Sequence, residues 1–113
     1  MHEISLVRTI FRTLESNFSV EELDNLTAVD LKVGKLSNVE PLLMQSAFEA
    51  VVQAEQKYQG VQLNIHVVPI VVYCELCDKS NEINDYKFVC ACGKPSRNIV
   101  QGTELLIEKA HFA

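Results

Sequence analysis

The chain has 113 residues, and its hydrophobic fraction of 48% suits a compact core and is too high for a disordered chain. Ten lysines and arginines against fifteen aspartates and glutamates give a net charge of −5, which argues against non-specific nucleic-acid binding. The apolar run at residues 67–73 is too short to span a bilayer, and charged residues interrupt the N-terminal apolar positions, so we expect a cytoplasmic protein of one ordinary domain.

Apolar residues recur at helical spacing near the start of the chain, at Ile4, Val7, Ile10, Phe11, Leu14 and Phe18. This spacing predicts an amphipathic helix over residues 3–17, whose apolar stripe packs on a sheet. Because the helix begins so early, we expect the first residues to be held at its N-terminus. After a turn at Asp24-Asn25, alternation of apolar and polar residues predicts a half-buried strand over residues 27–33.

A second helix is expected after this strand, with Ser37-Asn38 as its capping residues, Pro41 in its first turn and Gly60 as its stop. Its predicted core face consists of Leu43, Ala47, Phe48, Val51 and Val52. Alternation then predicts a strand over residues 61–67, with an edge or a bulge at Pro69. The last predicted element is a closing strand over residues 102–110.

Residues 73–94 contain four cysteines and few large core residues, so this segment needs a cross-link or a metal to be stable. The cysteines are Cys74, Cys77, Cys90 and Cys92, in the pattern C-x2-C-x12-C-x-C. Two close pairs at this separation are typical of zinc ribbons, in which four thiolates hold one ion and leave no open position for catalysis. A disulfide pair and unligated thiols are the alternatives. The single residue between Cys90 and Cys92 tightens the turn, so Cys92 is either a strained ligand or a poor one.

The start of the chain, Met1-His2-Glu3, offers a second kind of metal site. An imidazole, a terminal amine and the amide nitrogen between them can form the flat nitrogen field that Ni(II) and Cu(II) prefer. A histidine near an N-terminus is more often an exposed residue without a role, but the large His2 disfavours removal of Met1 by processing. We interpret His66 as the polar face of a strand and His111 as a tail residue, and neither as a metal ligand.

Several motifs occur in the order found in the HypA/HybF family of hydrogenase maturation factors, which this chain resembles. They are MHEISL at residues 1–6, VGKLSNVEP at 33–41, Phe48-Glu49, the two cysteine pairs, and GTELLI at 102–107. The similarity covers essentially the whole sequence. The chain departs from the family at Cys90-Ala91-Cys92, where relatives have two residues between the cysteines.

The resemblance implies an α+β fold, with a three-stranded sheet covered by two helices on one face and an inserted small β domain of the zinc-ribbon type. The nickel-binding domain would comprise residues 1–70 and 98–113, and the zinc-binding domain residues 71–97. The resemblance also implies that Ni(II) is carried by Met1, His2 and Glu3, through the amine, the imidazole and backbone amides. Structural Zn(II) would be held by Cys74, Cys77, Cys90 and Cys92.

The implied function is that of a nickel metallochaperone, not an enzyme. It would deliver Ni(II) for maturation of the [NiFe]-hydrogenase large subunit, with the GTPase accessory protein HypB as partner. The alternative is a zinc-ribbon protein-interaction module without nickel transfer. A thiol–disulfide enzyme using Cys74 and Cys77 is disfavoured, because such a pair normally heads a helix and here follows a strand.

Overall fold

The computed structural model describes residues 2–84 and 86–113. The helices are α1 (His2–Asn17), α2 (Val20–Asp24) and α3 (Pro41–Glu55), with a 3₁₀ turn at Lys35–Ser37. The strands are β1 (Leu26–Gly34), β2 (Gln62–Val68), β3 (Ile70–Cys74), β4 (Lys79–Ile83), β5 (Asn98–Gln101) and β6 (Leu105–Phe112). They form two three-stranded sheets, in the orders β2-β1-β6 and β4-β3-β5, which confirms the predicted α+β fold class. Among the described residues, no helix combines the length and the apolar character needed to cross a membrane.

The chain divides into two compact units. The first unit comprises Met1–Leu31, Val39–Ile65 and Ile107–Ala113, and the second comprises Lys32–Asn38 and His66–Leu106. Strands β1, β2 and β6 therefore contribute residues to both units. The division into a nickel-binding and a zinc-binding domain is a functional one, and its boundaries stay a prediction.

The core of the first unit is built from the two long helices and the sheet residues that they cover. The predicted helix is confirmed as α1, which starts one residue earlier than expected and buries Val7, Ile10, Phe11 and Leu14. The buried residues of α3 are Met44, Ala47, Phe48 and Val51. The ring of Phe11 lies edge-on to Phe48, at 5.9 Å, and to Tyr58, at 4.6 Å. Burying one of the large apolar side chains of α1 or α3, such as Leu14 or Phe48, stabilises the fold by roughly 1.5–3 kcal/mol.

The short helix α2 was not expected from the pattern, which gave only a turn at Asp24-Asn25. Asp24 is in fact the last residue of α2, and Asn25 is its C-terminal cap. The N-terminus of α2 is held by a capping box, in which Ser19 Oγ accepts from Glu22 N–H at 3.1 Å and Glu22 Oε1 accepts from Ser19 N–H at 2.9 Å. The Ser-x-x-Glu signal for this helix was present in the sequence.

Both ends of α3 differ from the predicted ones. Glu40 caps the helix, its carboxylate accepting from Leu42 N–H at 3.3 Å, whereas Ser37 Oγ donates to Gly34 O at 2.7 Å within the 3₁₀ turn. The expectation that Ser37-Asn38 caps α3 is therefore wrong. The helix ends at Glu55 before Gln56, which has φ +51°, so the predicted stop at Gly60 comes several residues too late.

The second unit contains the sheet β4-β3-β5, which agrees with the small β domain that the family resemblance implies. Strand β3 lies between β4 and β5 and pairs with both in antiparallel fashion. Ile70, Val72 and Ile83 form its buried core, with Leu36 and Phe88 packed against them. Three buried side chains make a small core, which agrees with the expectation that this part of the chain needs a further constraint.

Gly34 is a position of close backbone approach in the second unit. A Cβ at Gly34 would lie 2.1 Å from the carbonyl carbon and oxygen of Gly102. The same approach is fixed by hydrogen bonds from Gly34 N–H to Glu104 O, at 2.8 Å, and from Leu36 N–H to Gly102 O, at 2.7 Å.

We expect Gly34→Ala to lower the free energy of unfolding by about 1–3 kcal/mol, because backbone rather than a flexible side chain must move to admit the methyl group. Thermal unfolding followed by circular dichroism measures the effect. Gly60→Asn is the control, because the space at Gly60 is open and asparagine tolerates its φ of +81°. An unchanged melting temperature for Gly34→Ala would contradict the close contact.

Candidate metal centre

The first cysteine pair lies in the turn that joins β3 to β4. Cys74 is the last residue of β3 and pairs with Lys79, the first residue of β4. Cys77 lies in the intervening turn, and Asp78 after it has φ +53°. The carboxylate of Asp78 accepts a short hydrogen bond from the Tyr73 hydroxyl, which pins this turn to the end of β3.

The second pair lies in a tighter loop closed by the bridge between Val89 and Pro95. Cys90 N–H donates to Lys94 O at 2.8 Å, and Gly93 N–H donates to Cys90 O at 2.9 Å. Gly93 has φ +88°, a conformation that glycine adopts without steric cost. The glycine after Cys92 thus lets the chain turn with only one residue between the two thiols.

The two turns bring all four sulfur atoms into one group. The Sγ atoms of Cys74, Cys77, Cys90 and Cys92 all lie within 4.8 Å of one another, and none of these cysteines is in a disulfide. Cys77 and Cys90 are 3.2 Å apart, and Cys74 and Cys92 are 3.9 Å apart. Zinc–sulfur bonds of about 2.3 Å in a tetrahedron place sulfur atoms about 3.8 Å apart. The four thiols therefore fit a single zinc ion.

Cys90 receives most of the polar contacts in this group. Its sulfur accepts from the Asn81 side-chain amide at 3.2 Å and from Cys92 N–H at 3.4 Å. The Cys92 amide first, and the hydrogen bond with Cys77 second, lower the pKa of Cys90 to about 7. The hydrogen bond with Cys90 raises the pKa of Cys77 to about 12. Of these two thiols, Cys90 loses its proton first, and a metal that binds thiolates must displace the proton that Cys77 keeps.

Asn81 is a contact that the sequence did not suggest. It lies on β4, opposite Val72 of β3, and four residues after Cys77. A hydrogen bond from such a residue orients a metal ligand and lowers the charge on its sulfur. Asparagine has no fixed spacing from cysteine in these turns, so only the strand pairing reveals its position.

The structure places the predicted nickel residues only in part. Met1 and the side chain of His2 lie outside the described residues. The backbone of His2 opens α1, and Glu3 in the first turn is buried, with 8% of its surface exposed. Glu3 is spaced four residues from the buried Val7, so its side chain lies on the apolar stripe of the helix.

The other two histidines belong to strands. His66 is exposed on β2, as expected. His111 is not a tail residue, because it lies in β6 and its Nε2 is 2.8 Å from Asp30 Oδ2. Asn64 donates to the other oxygen of Asp30 at 2.9 Å, so these three side chains connect the three strands of the sheet β2-β1-β6.

The fold and the thiol group define a small α+β protein with a four-cysteine metal-binding centre. Comparison with known proteins specifies it further. Residues 1–112 match the family described as HypA, hydrogenase/urease nickel incorporation, metallochaperone. This chain belongs to the HypA family.

Individual relatives agree with this assignment. The hydrogenase maturation factor HypA of Shewanella baltica is 32% identical to this chain, and the alignment covers 95% of this chain and 92% of that protein. The hydrogenase maturation factor HypA of Desulfitobacterium hafniense is 33% identical, and the alignment covers 96% of this chain and 95% of that protein. A guanidine hydrolase-activating protein A from Synechocystis is 34% identical, over 96% of this chain and 92% of that protein. The solution structure of the nickel metallochaperone HypA from Helicobacter pylori has the same fold, with a TM-score of 0.65 at 21% identity, covering 97% of this chain and 96% of that one.

Proposed function

We propose that this chain binds Ni(II) at its N-terminus and delivers it for maturation of the [NiFe]-hydrogenase large subunit. The ligands are the Met1 amine, the His2 imidazole and the backbone amides of His2 and Glu3. The observation that supports this most directly is that α1 begins at His2, together with membership of a nickel metallochaperone family.

A helix start is chemically suited to this chelate. The first four N–H groups of a helix have no acceptor within it, so the amides of His2 and Glu3 can lose their protons to a metal without breaking helical hydrogen bonds. The positive end of the helix dipole disfavours a bare cation. Two deprotonated amides balance the charge of Ni(II), so the bound complex is neutral and this penalty is removed.

We propose that Cys74, Cys77, Cys90 and Cys92 hold a structural Zn(II), which makes residues 71–97 a zinc-binding domain. Four sulfur ligands close the coordination sphere, so zinc would supply cross-linking and no catalysis. Two observations support this role. The four sulfur atoms lie close to one another, and two N–H groups donate to the sulfur of Cys90. Residues 1–70 and 98–113 would then form the nickel-binding domain.

The delivery step needs partners, because the chain carries no glycine-rich loop that would hold a nucleotide. We propose the GTPase HypB as the protein that couples nucleotide hydrolysis to transfer, and the cytoplasm as the compartment. The family's nickel incorporation into hydrogenase supports this assignment.

A second candidate recipient is a guanidine hydrolase. The Synechocystis relative named for activating that enzyme is 34% identical, which is as similar as the hydrogenase maturation factors. Adding the nickel-loaded chain to each recipient apoprotein and measuring transferred metal distinguishes the two.

Blocking the terminal amine tests the carrier site itself. We expect a chain extended by Gly-Ser-Gly-Ser before Met1 to lose nickel binding, because the terminal amine is then too far from His2 to join its chelate rings, while its zinc content stays unchanged. The control is the same four residues added after Ala113, which should leave nickel binding as in the unmodified chain in isothermal calorimetry. If the chain is instead a zinc-ribbon interaction module without nickel transfer, both extended chains should give the same calorimetric result with Ni(II). Equal nickel affinity of the two chains would therefore refute the proposed site.

A further inference from the structure

We propose that the second unit carries a docking groove for an extended segment of a partner protein, with alternating apolar residues and one carboxylate. The groove, which we call the β5 groove, is lined by Phe88, Val89, Pro95, Arg97 and Ile99 and has a volume of about 460 Å³. This inference goes beyond nickel carriage, because none of these residues belongs to either metal site.

The β5 groove exposes apolar side chains that a free monomer normally buries. Val89 is 45% exposed and Ile99 is 38% exposed, and Phe88 beneath them is half-buried against the core of this unit. Ile99 lies on the edge strand β5, and the other apolar residues of the groove come from the neighbouring segment 88–95. Native proteins usually protect an apolar sheet edge with charge or a covering segment. Here the apolar lining points to a partner that covers it.

The backbone of β5 offers the second contact. In the sheet β4-β3-β5, this strand has a neighbour on one side only, where Ile99 pairs with Val72 and Asn98 with Tyr73. The N–H and C=O groups on its other side can pair with an added strand. Such strand addition takes affinity from main-chain hydrogen bonds and specificity from alternate side chains that enter pockets.

Arg97 sets the charge of the occupant. Within the part of the chain that the structure describes, Arg97 has no hydrogen bond or ion pair, although it lines an otherwise apolar groove. The second unit has six basic and five acidic residues, whereas the first has four and ten, so the groove lies on the less acidic part of the chain. An exposed guanidinium beside apolar side chains can bind a carboxylate through paired hydrogen bonds. The segment that fits best is therefore apolar and acidic.

The test uses a phage library of random nonapeptides, selected on the immobilised zinc-loaded full chain. We expect the selected peptides to share alternating apolar positions and one aspartate or glutamate. The Kd of the leading peptide, measured by fluorescence anisotropy, should rise about tenfold or more with Arg97→Glu. A peptide in which lysine replaces its carboxylate should recover binding to that variant.

Two matched controls separate the groove from general effects. Lys79→Glu makes the same charge change on β4, at the other edge of the same sheet, and should leave the Kd unchanged. Ile99→Thr should weaken binding at least tenfold, whereas Val100→Thr, one residue along the same strand and outside the groove, should not.

Three outcomes would overturn the proposal. The first is a library that yields no enrichment or only basic sequences, and the second is equal binding by Ile99→Thr and Val100→Thr. The third is a wild-type dimer in sedimentation that Ile99→Thr dissociates, which would assign the β5 groove to a second copy of this chain.

Discussion

Cys74→Ser should lower the zinc affinity of the full chain by more than about 100-fold, since loss of an outer contact to a metal ligand alone costs 10- to 100-fold. Cys74 is 3% exposed and ends the central strand of the second sheet, so its loss removes a ligand and a fixed point of that sheet. Zinc content after dialysis against a chelator, measured by elemental analysis, gives the result.

The consequence for the fold should be confined to one unit. The apolar cluster described in the second unit is Ile70, Val72 and Ile83, which is too small to order the 48 residues of this unit without a metal. We therefore expect backbone amides of β3, β4 and β5 to lose protection from hydrogen exchange in Cys74→Ser. The amides of α1 and α3 should keep theirs, because their buried residues include no cysteine.

Glu75→Ser is the control for this experiment. Glu75 is exposed, lies between Cys74 and Cys77 in the same turn, and offers no sulfur. It should retain one zinc per chain and full exchange protection. If Cys74→Ser kept its zinc as well, the four-thiol centre would be excluded as the element that holds the second unit together.

The sequence predicts elements well where a single periodicity runs over many residues. The spacing of Val7, Phe11 and Leu14 defines α1, because one helical face has a continuous core to cover. Helix ends are harder, since the cap of α3 is Glu40 rather than the better N-cap residues Ser37 and Asn38. Ser37 bonds instead to Gly34 O, and this local competition is invisible to a pattern.

The residue pattern did not locate the strands around the cysteines, whereas the resemblance to the HypA/HybF family correctly implied a small β domain there. Strand β4 (Lys79–Ile83) is mostly polar and buries only Ile83, so it carries no alternating signal. Its pairing with β3 starts at the tight turn that holds Cys77, where Cys74 pairs with Lys79, and the polar residues of β4 give no sign of this pairing. The spacing of the cysteines did predict their grouping, but the role of Gly93 in accommodating the short second pair depends on its φ of +88°.

His2→Ala should reduce nickel affinity by at least about 100-fold, because the imidazole is one of the four nitrogen donors in the proposed square and no other side chain replaces it. Thermal stability and zinc content should match those of the unmodified chain. His66→Ala is the matched control, since His66 is exposed on β2 and takes no part in the chelate. Calorimetric titration with Ni(II) distinguishes the two variants.

The pH dependence adds a second, independent signature of the same site. Nickel competes with protons for an imidazole of ordinary pKa about 6.5, an amine of about 7.7 and amides that must lose theirs, so affinity should fall as the pH is lowered from 8 to 6. Cu(II) should bind the same nitrogens more tightly still, which assigns selectivity for nickel to the proteins that load and unload the carrier. A chain whose nickel affinity is independent of pH over this range, or is the same in His2→Ala and His66→Ala, cannot hold the ion through its first residues. Carriage would then have to rest on oxygen or sulfur ligands elsewhere.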